Sequence, residues 1–179
     1  RFEGVASYRE ARLSLDENCD GKPLKLYTST AFTATVVTEA GAEVKAGGKT
    51  FTAAGTAYQL KNVVGELAVE ISKPGKATRY AWLNGKNKTV QVALSDEFEC
   101  ALSLPVPDGT VVCWTIDGVA KGSGTVKGGR VSVPHVGTGS TLTLSVEGAI
   151  LKKDVYTLTG DSLSPELENA NSTEVRVLY

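Results

Sequence analysis

Apolar and polar residues alternate along most of this 179-residue chain. The clearest segment is STLTLSVEG, residues 140–148, in which Leu142, Leu144 and Val146 alternate with Thr and Ser. Successive side chains of a β-strand point to opposite faces, so this alternation is typical of a strand with one buried face. The same pattern occurs in TVVCWTIDG, AFTATVVT, GELAVEIS, KTVQVALS and TEVRVLY.

Turn-forming dipeptides separate the alternating segments. Three of them are Asn84-Gly85, Asp117-Gly118 and Gly128-Gly129. These residues adopt positive φ angles readily, as tight β-hairpin turns require, so each dipeptide predicts a hairpin. No segment has the spacing of a long amphipathic helix, and residues 2–13 fit either a short helix or a strand. We therefore predict an all-β protein built from antiparallel β-sandwich units.

A short polar cluster in ALSDEF, residues 93–98, marks a boundary between two β units. We place an N-terminal antiparallel β domain at residues 1–95, a second β domain at 96–160, and an extended connector with a terminal strand at 161–179. The terminal strand carries Val175, Val177 and Tyr179 on one face, and we predict these residues as a subunit contact. The alternative is a closing strand of the chain's own sheet.

The charge and hydropathy of the chain narrow its possible partners. The formal net charge is −1, which gives no basic field to attract nucleic acid or an anionic membrane. The longest apolar runs are a few residues, whereas a bilayer-spanning helix needs about 20. We expect neither nucleic acid nor a membrane as a partner.

The three cysteines, Cys19, Cys100 and Cys113, form no CxxC motif and no Cys/His cluster. This spacing does not favour a structural zinc site. Cys100 and Cys113 either form one disulfide across neighbouring strands or remain buried free thiols that pack as small apolar side chains. We favour the free thiols.

The stretch LSLDENCDGKPL holds Asp16, Asn18 and Asp20 in alternation, followed by Gly21. A calcium loop begins in this way, because short oxygen side chains converge on a hard cation while glycine makes a sharp turn. The twelfth loop position, a bidentate Glu in complete sites, is Tyr27. The same residues suit a plain polar turn. We predict the plain turn, keep the three side chains as weak candidate metal ligands, and expect no cofactor.

The residue pattern does not favour an enzyme. His135 is the only histidine, and no nucleophile elbow, HExxH motif or phosphate-binding glycine loop is present in the sequence. The acidic residues lie mostly in predicted turns and polar connectors, where solvated carboxylates are expected. We predict a non-enzymatic protein and interpret His135 as a surface turn residue.

The stretch ATRYAWLNG offers a candidate ligand site. Tyr80 and Trp82 share one strand face, so two exposed rings there would stack on sugar rings while Arg79 or Asn84 bonds hydroxyl groups. The alternative is that Trp82 anchors a core, as we also expect of Trp114. We favour the core position and keep Tyr80, Trp82 and Asn84 as weak candidate carbohydrate ligands.

The segment SLPVPDGTVVCWTIDGVAKGSGTVKGGRVSVPHVGTGSTLTLSVEG contains a DGT turn, a strand with Trp114, a Gly-Ser-Gly stretch and a TLTLSV strand. With these features, about residues 98–147 resemble the bacterial immunoglobulin-like modules of the invasin and intimin type. The resemblance implies an Ig-like sandwich in the C-terminal half and supplies no catalytic residues. Related modules are appended to phage virion proteins and bacterial surface proteins.

These observations lead to two functional expectations. The first is a non-enzymatic structural or assembly protein, a phage virion component (capsid decoration, neck or tail) that contacts other protein subunits and forms a homo-oligomer or a virion assembly. The second is a cell-surface or secreted binding module, adhesin-like or carbohydrate-binding. The first places the protein in the virion and the second at the cell surface or outside the cell.

Overall fold

A computed structural model describes residues 30–168 of the chain. Within this range the chain forms fifteen β-strands and no helix, which confirms the prediction of an all-β protein. No helix in the described range is long and apolar enough to cross a membrane. Three predictions lie outside it: the form of residues 2–13, the candidate metal ligands Asp16, Asn18 and Asp20, and the contact residues Val175, Val177 and Tyr179.

The chain divides into two compact units. The first unit comprises Arg1–Val69 and Trp82–Val92, and the second comprises Glu70–Ala81 and Ala93–Tyr179. The sequence boundary at residue 95 is a single cut, whereas in the structure the segment Glu70–Ala81 groups with the C-terminal part of the chain. Long-range pairing of this kind leaves no local sequence signal.

Eight strands precede residue 92: β1 (Phe32–Val37), β2 (Glu43–Ala46), β3 (Lys49–Thr50), β4 (Thr52–Ala54), β5 (Ala57–Val63), β6 (Leu67–Ser72), β7 (Arg79–Leu83) and β8 (Thr89–Gln91). They form two four-stranded sheets of order β4-β5-β1-β8 and β3-β2-β6-β7. β1 pairs antiparallel with β5 and parallel with β8. The buried Tyr58 hydroxyl donates to the Glu39 carbonyl and accepts from the Ala42 N–H, which fixes the turn after β1.

Seven strands follow: β9 (Phe98–Ser103), β10 (Val111–Ile116), β11 (Ala120–Thr125), β12 (Arg130–Val136), β13 (Thr141–Val146), β14 (Val155–Thr157) and β15 (Ser162–Leu163). They form one sheet of order β11-β10-β13-β14 and a second of order β12-β9-β15. The inward side chains of both sheets meet in one apolar core, as in a β-sandwich. The predicted inward residues of β13, Leu142, Leu144 and Val146, are buried.

Trp114 is the largest side chain of this core and is 7% exposed, as predicted. Its indole lies against the inward side of β11, where the chain has Gly122 and Gly124. A Cβ atom added at Gly122 would stand 2.7 Å from Cε2 of the indole, and one at Gly124 would stand 2.7 Å from Cγ2 of Val131. The Gly-Ser-Gly stretch is therefore a strand whose inward positions are left empty for Trp114.

The three predicted hairpins have different outcomes. Asp117 and Gly118 both have positive φ, and the Val119 N–H donates to the Ile116 carbonyl, so this dipeptide joins β10 to β11 as predicted. Gly128-Gly129 also makes a tight turn with positive φ, and the flanking Lys127 and Arg130 form an antiparallel bridge, although β11 and β12 belong to different sheets. Asn84-Gly85 does not join paired strands, because β7 and β8 belong to different sheets, and the Asn84 side chain accepts the Lys86 and Asn87 amides.

The first residues of the predicted connector are bound to the second unit. Ser162 and Leu163 form β15, parallel to β9, and the Ala101 N–H donates to the Asp161 carbonyl. Further on, the Glu168 N–H donates to the Ile150 carbonyl at 2.7 Å, and Lys152 pairs with Glu166 at 2.9 Å. The described part of the connector, 161–168, is thus held along its length, and the tail beyond it starts at Glu168.

Cys100 and Cys113 are free thiols in the structure. Cys100 is buried in the core on β9, and its burial, with a smaller contribution from the Asp161 carboxylate, raises the pKa of the thiol. Cys113 lies on β10 and is exposed, so the expectation that it is buried is wrong. The two side chains stand on strands of different sheets, with Cys113 directed away from the core.

Candidate interaction surface

The sheet β11-β10-β13-β14 covers the core with one face and presents the other to solvent. We call the second face the outer face. Its side chains alternate with those of the core along each strand. They are Val111, Cys113, Thr115, Lys121, Ser123, Thr125, Thr141, Thr143, Ser145, Val155 and Thr157.

The strand register arranges these side chains in rows across the sheet. Cys113 lies opposite Ser123 on one side and Ser145 on the other. The next row runs through Lys121, Thr115, Thr143 and Val155. A shallow groove between the rows is lined by Cys113, Thr115 and Ser145, among others. The outer face therefore consists mostly of small side chains, with the Cys113 thiol at its centre.

The outer face is almost free of charge. Lys121 is the only charged residue among its eleven, although 22% of the chain is charged. Val111 and Val155 are exposed on it, at 39% and 43%. The solvent side of the opposite sheet differs, because it carries Glu99 and Arg130 in exposed positions. The depletion of charge therefore belongs to one face of the second unit.

One end of the outer face is fixed by Asp117, whose side chain is only 5% exposed. Asp117 Oδ2 accepts from Arg79 Nε at 2.7 Å and from the Tyr80 N–H, while Oδ1 accepts from Arg79 Nη2 and from the Thr141 N–H. The carboxylate thus ties the β10–β11 turn to the first residue of β13 and to β7. Arg79 was a candidate ligand for sugar hydroxyl groups, but its guanidinium donates to the Asp117 carboxylate.

A second close contact lies nearby in the same unit. Ala77 donates its N–H to the Ser95 carbonyl, and Ser95 Oγ donates to the Thr138 carbonyl at 2.8 Å. Gly137 lies so close that an added Cβ would stand 2.8 Å from the Ala77 Cβ. The loop after β12 therefore accommodates only glycine at this position.

The candidate carbohydrate ligands Tyr80, Trp82 and Asn84 differ in exposure and in their contacts. Trp82 is 45% exposed, so the prediction that it anchors a core is wrong. The buried face of β7 carries Ala81 and Leu83 instead. Tyr80 is partly buried against the core of the second unit, and burial, then the Glu70 and Asp117 carboxylates, raise the pKa of its hydroxyl. Asn84 uses its side-chain oxygen on the backbone amides of its own turn.

His135 is exposed, in agreement with a surface position, and lies in β12. Its φ is 58°, in the irregularity of β12 between Val133 and Val136. Nδ1 lies 2.8 Å from Glu97 Oε1, and the imidazole is 75% exposed. Exposed pairs of this kind contribute little to stability.

Residues 30–168 contain no group of three or more metal-binding side chains. Sequence reasoning did not find the outer face, although the signal was present in the Thr and Ser residues that alternate with Leu and Val in TLTLSV. What was missing was the strand order that brings four such strands side by side. Comparison with known proteins finds no family model that matches the chain and no curated protein of similar sequence.

Proposed function

We propose that this chain is a non-enzymatic structural protein of a phage virion, a capsid decoration, neck or tail component, that contacts other protein subunits through the outer face of its second unit. The observation that carries this proposal is the depletion of charge on the outer face, which is exposed to solvent. Burying an unpaired charge in a contact is costly, so the centres of protein interfaces are poor in charged residues. A surface exposed only to water has no such requirement.

The strand order of the second unit supports an Ig-like module. In Ig domains the first, second and fifth strands share one sheet, and the third, sixth and seventh share the other. Here β9 and β12 pair in one sheet, while β10, β13 and β14 are neighbours in the other, as expected if β9 is the second strand of the module. β15 pairs with β9 at the edge where an Ig domain has its first strand, and it runs parallel to β9. This arrangement agrees with the resemblance drawn from the sequence.

Charge substitutions on the outer face test the proposal. Thr143→Glu and Thr115→Glu each place a carboxylate in the row that contains Val155. We expect both variants to fold, because these side chains point to solvent, and to lose incorporation into virions in a complementation assay. Ser132→Glu, an exposed position on β12 in the opposite sheet, is the matched control and should incorporate normally. Equal incorporation of all three variants contradicts the proposal.

The location of the protein supplies an independent test of the virion assignment. A virion component co-purifies with particles through a density gradient at a constant ratio to the major capsid protein. Its detection by mass spectrometry only in a cell-wall or culture-supernatant fraction contradicts the virion assignment and favours a surface or secreted module.

The exposed ring of Trp82 favours carbohydrate binding as the second candidate function. A single exposed indole on a strand provides a stacking surface for a sugar ring. Titration of the protein with cell-wall glycans, followed by the fluorescence of Trp82 in a Trp114→Phe background, tests it. Saturable quenching of the Trp82 fluorescence supports this function, and unchanged fluorescence contradicts it.

A further inference from the structure

We propose that β11 is an acceptor edge, which receives the C-terminal strand 172–179 from a second copy of this chain. This inference rests on the proposed assembly function and names one partner and one binding mode for it. It also goes beyond the outer face, because the contact is made by backbone groups at the edge of the sheet.

The exposed edges of the second unit differ in their capacity to accept a strand. β14 and β15 are only three and two residues long. β12 contains Pro134, which has no N–H, and an irregularity at His135. Short edges, proline and bulges are the features that protect sheet edges from further pairing. β11 has six residues in unbroken register with β10, contains no proline and no bulge, and carries one protective charge, Lys121.

The backbone of β11 is oriented to accept a partner. Val126 exchanges hydrogen bonds with Thr110 and Gly109 on the β10 side, and backbone direction alternates along a strand. The N–H and C=O groups of Lys121, Ser123 and Thr125 therefore face away from β10. A strand that pairs with these three residues would extend the sheet from the β11 edge.

The donor is the tail of the chain. As a strand, STEVRVLY would place Val175, Val177 and Tyr179 on one face, and the inward side of β11 has only Gly122 and Gly124 beside the Trp114 indole. An added strand with apolar side chains on that side would cover the indole and the edge of the core. Its other face, with Glu174 and Arg176, would lie next to Lys121, Ser123 and Thr125.

The position of the tail indicates that the donor is a second copy. Glu168 is bound beside Ile150, on the segment that leads into β14, and β14 is the edge of the sheet opposite β11. A strand added to β11 would lie four strand spacings, about 19 Å, from β14. The four residue steps from Glu168 to Ser172 span at most about 14 Å, so the donor strand of the same chain does not reach this edge. Each copy would donate on one side and accept on the other. Such head-to-tail contacts produce rings or filaments.

Two variants test the inference, with molar mass measured by light scattering over a range of protein concentrations. Truncation after Asn171 should convert the oligomer to a monomer with an unchanged β spectrum. Ser123→Pro should do the same, because the lost N–H faces away from β10, while Ser123→Ala should remain oligomeric. Hydrogen exchange at Lys121, Ser123 and Thr125 should be slow in the oligomer and fast in the truncated chain. A synthetic peptide of residues 171–179 should slow exchange at these amides again.

Other outcomes overturn the inference. If the full chain is a monomer at all concentrations while these amides are protected, the strand pairs within its own chain. If the truncated chain remains oligomeric, or loses cooperative unfolding, the tail is not a donor strand. These results leave the proposed function intact as long as Thr143→Glu still abolishes incorporation into virions. If Thr143→Glu instead incorporates into virions normally, the proposed function itself is contradicted.

Discussion

The indole of Trp114 occupies the space that a side chain at position 122 would need. Gly122 lies opposite Trp114 in the β10–β11 register, and a Cβ at this glycine would stand 2.7 Å from Cε2 of the ring. The φ of Gly122 is not in the left-handed region, so the backbone itself would accept another residue. Glycine is present because of the contact with the ring, and this contact allows one large aromatic side chain to fill the core beneath an edge strand.

Gly122→Ala should therefore destabilise the second unit by about 1–3 kcal/mol, the usual cost of overpacking a core. Urea unfolding followed by circular dichroism measures this change. Gly160→Ala is the matched control, because its φ is also outside the left-handed region and an added Cβ meets nothing within 4 Å. In a Trp114→Phe background the cost of Gly122→Ala should be smaller, since the smaller ring leaves room for the methyl group. An equal cost in both backgrounds would show that the ring is not the cause.

Asp117→Asn should lower the stability of the second unit by about 2–4 kcal/mol, because it leaves the Arg79 guanidinium, 15% exposed, without a charged partner. Asn accepts the positive φ of this turn and retains one acceptor oxygen, so the turn itself should survive. The free energy of unfolding is measured in a Trp82→Phe background, with and without Asp117→Asn, from the fluorescence of Trp114.

The Lys76–Asp96 pair provides the comparison for Asp117. Asp96 is highly exposed, and its hydrogen bond and attraction to the Lys76 ammonium lower the pKa of the carboxyl group. Asp96→Asn should nevertheless leave the unfolding midpoint unchanged within measurement error, because exposed pairs contribute little. Similar effects of Asp96→Asn and Asp117→Asn would contradict the importance of burial at Asp117.

The attachment of residues 166–168 should weaken in acid. The hydrogen bond and charge of Lys152 lower the pKa of Glu166 in the folded protein. A carboxyl group with a lowered folded pKa stabilises the fold above its unfolded pKa, and that contribution is lost as the pH falls through the folded pKa. Amide exchange of Glu168, corrected for the intrinsic effect of pH, should thus accelerate at low pH. Lys152→Gln should remove this pH dependence.

The sequence predicted those features that depend on neighbouring residues. Alternation identified most strands, and in β13 it also identified the buried face, since one face carries Leu and Val and the other Thr and Ser. In β7 both faces are apolar, so the pattern did not distinguish them, and the size of Trp82 suggested the wrong one. Ala81 and Leu83 are buried instead.

Features that depend on distant residues were not predictable in this way. Arg79 and Asp117 are 38 residues apart, and nothing in either local segment indicates their bond. The outer face depends on the order of four strands, which alternation does not specify. β15 is two residues long and lies in a polar segment, so its pairing with β9 had no sequence signal.

The reactivity of Cys113 tests the proposed interface most directly, because this thiol lies between Ser123 and Ser145 at the centre of the outer face. The measurement is alkylation followed by peptide mapping, performed on the isolated protein and on intact virions. Cys113 should react readily in the isolated protein and slowly in virions. Cys100, which is buried and has a raised pKa, should remain unmodified in both until the protein is unfolded. Equal reactivity of Cys113 in the two samples would contradict an interface at this face.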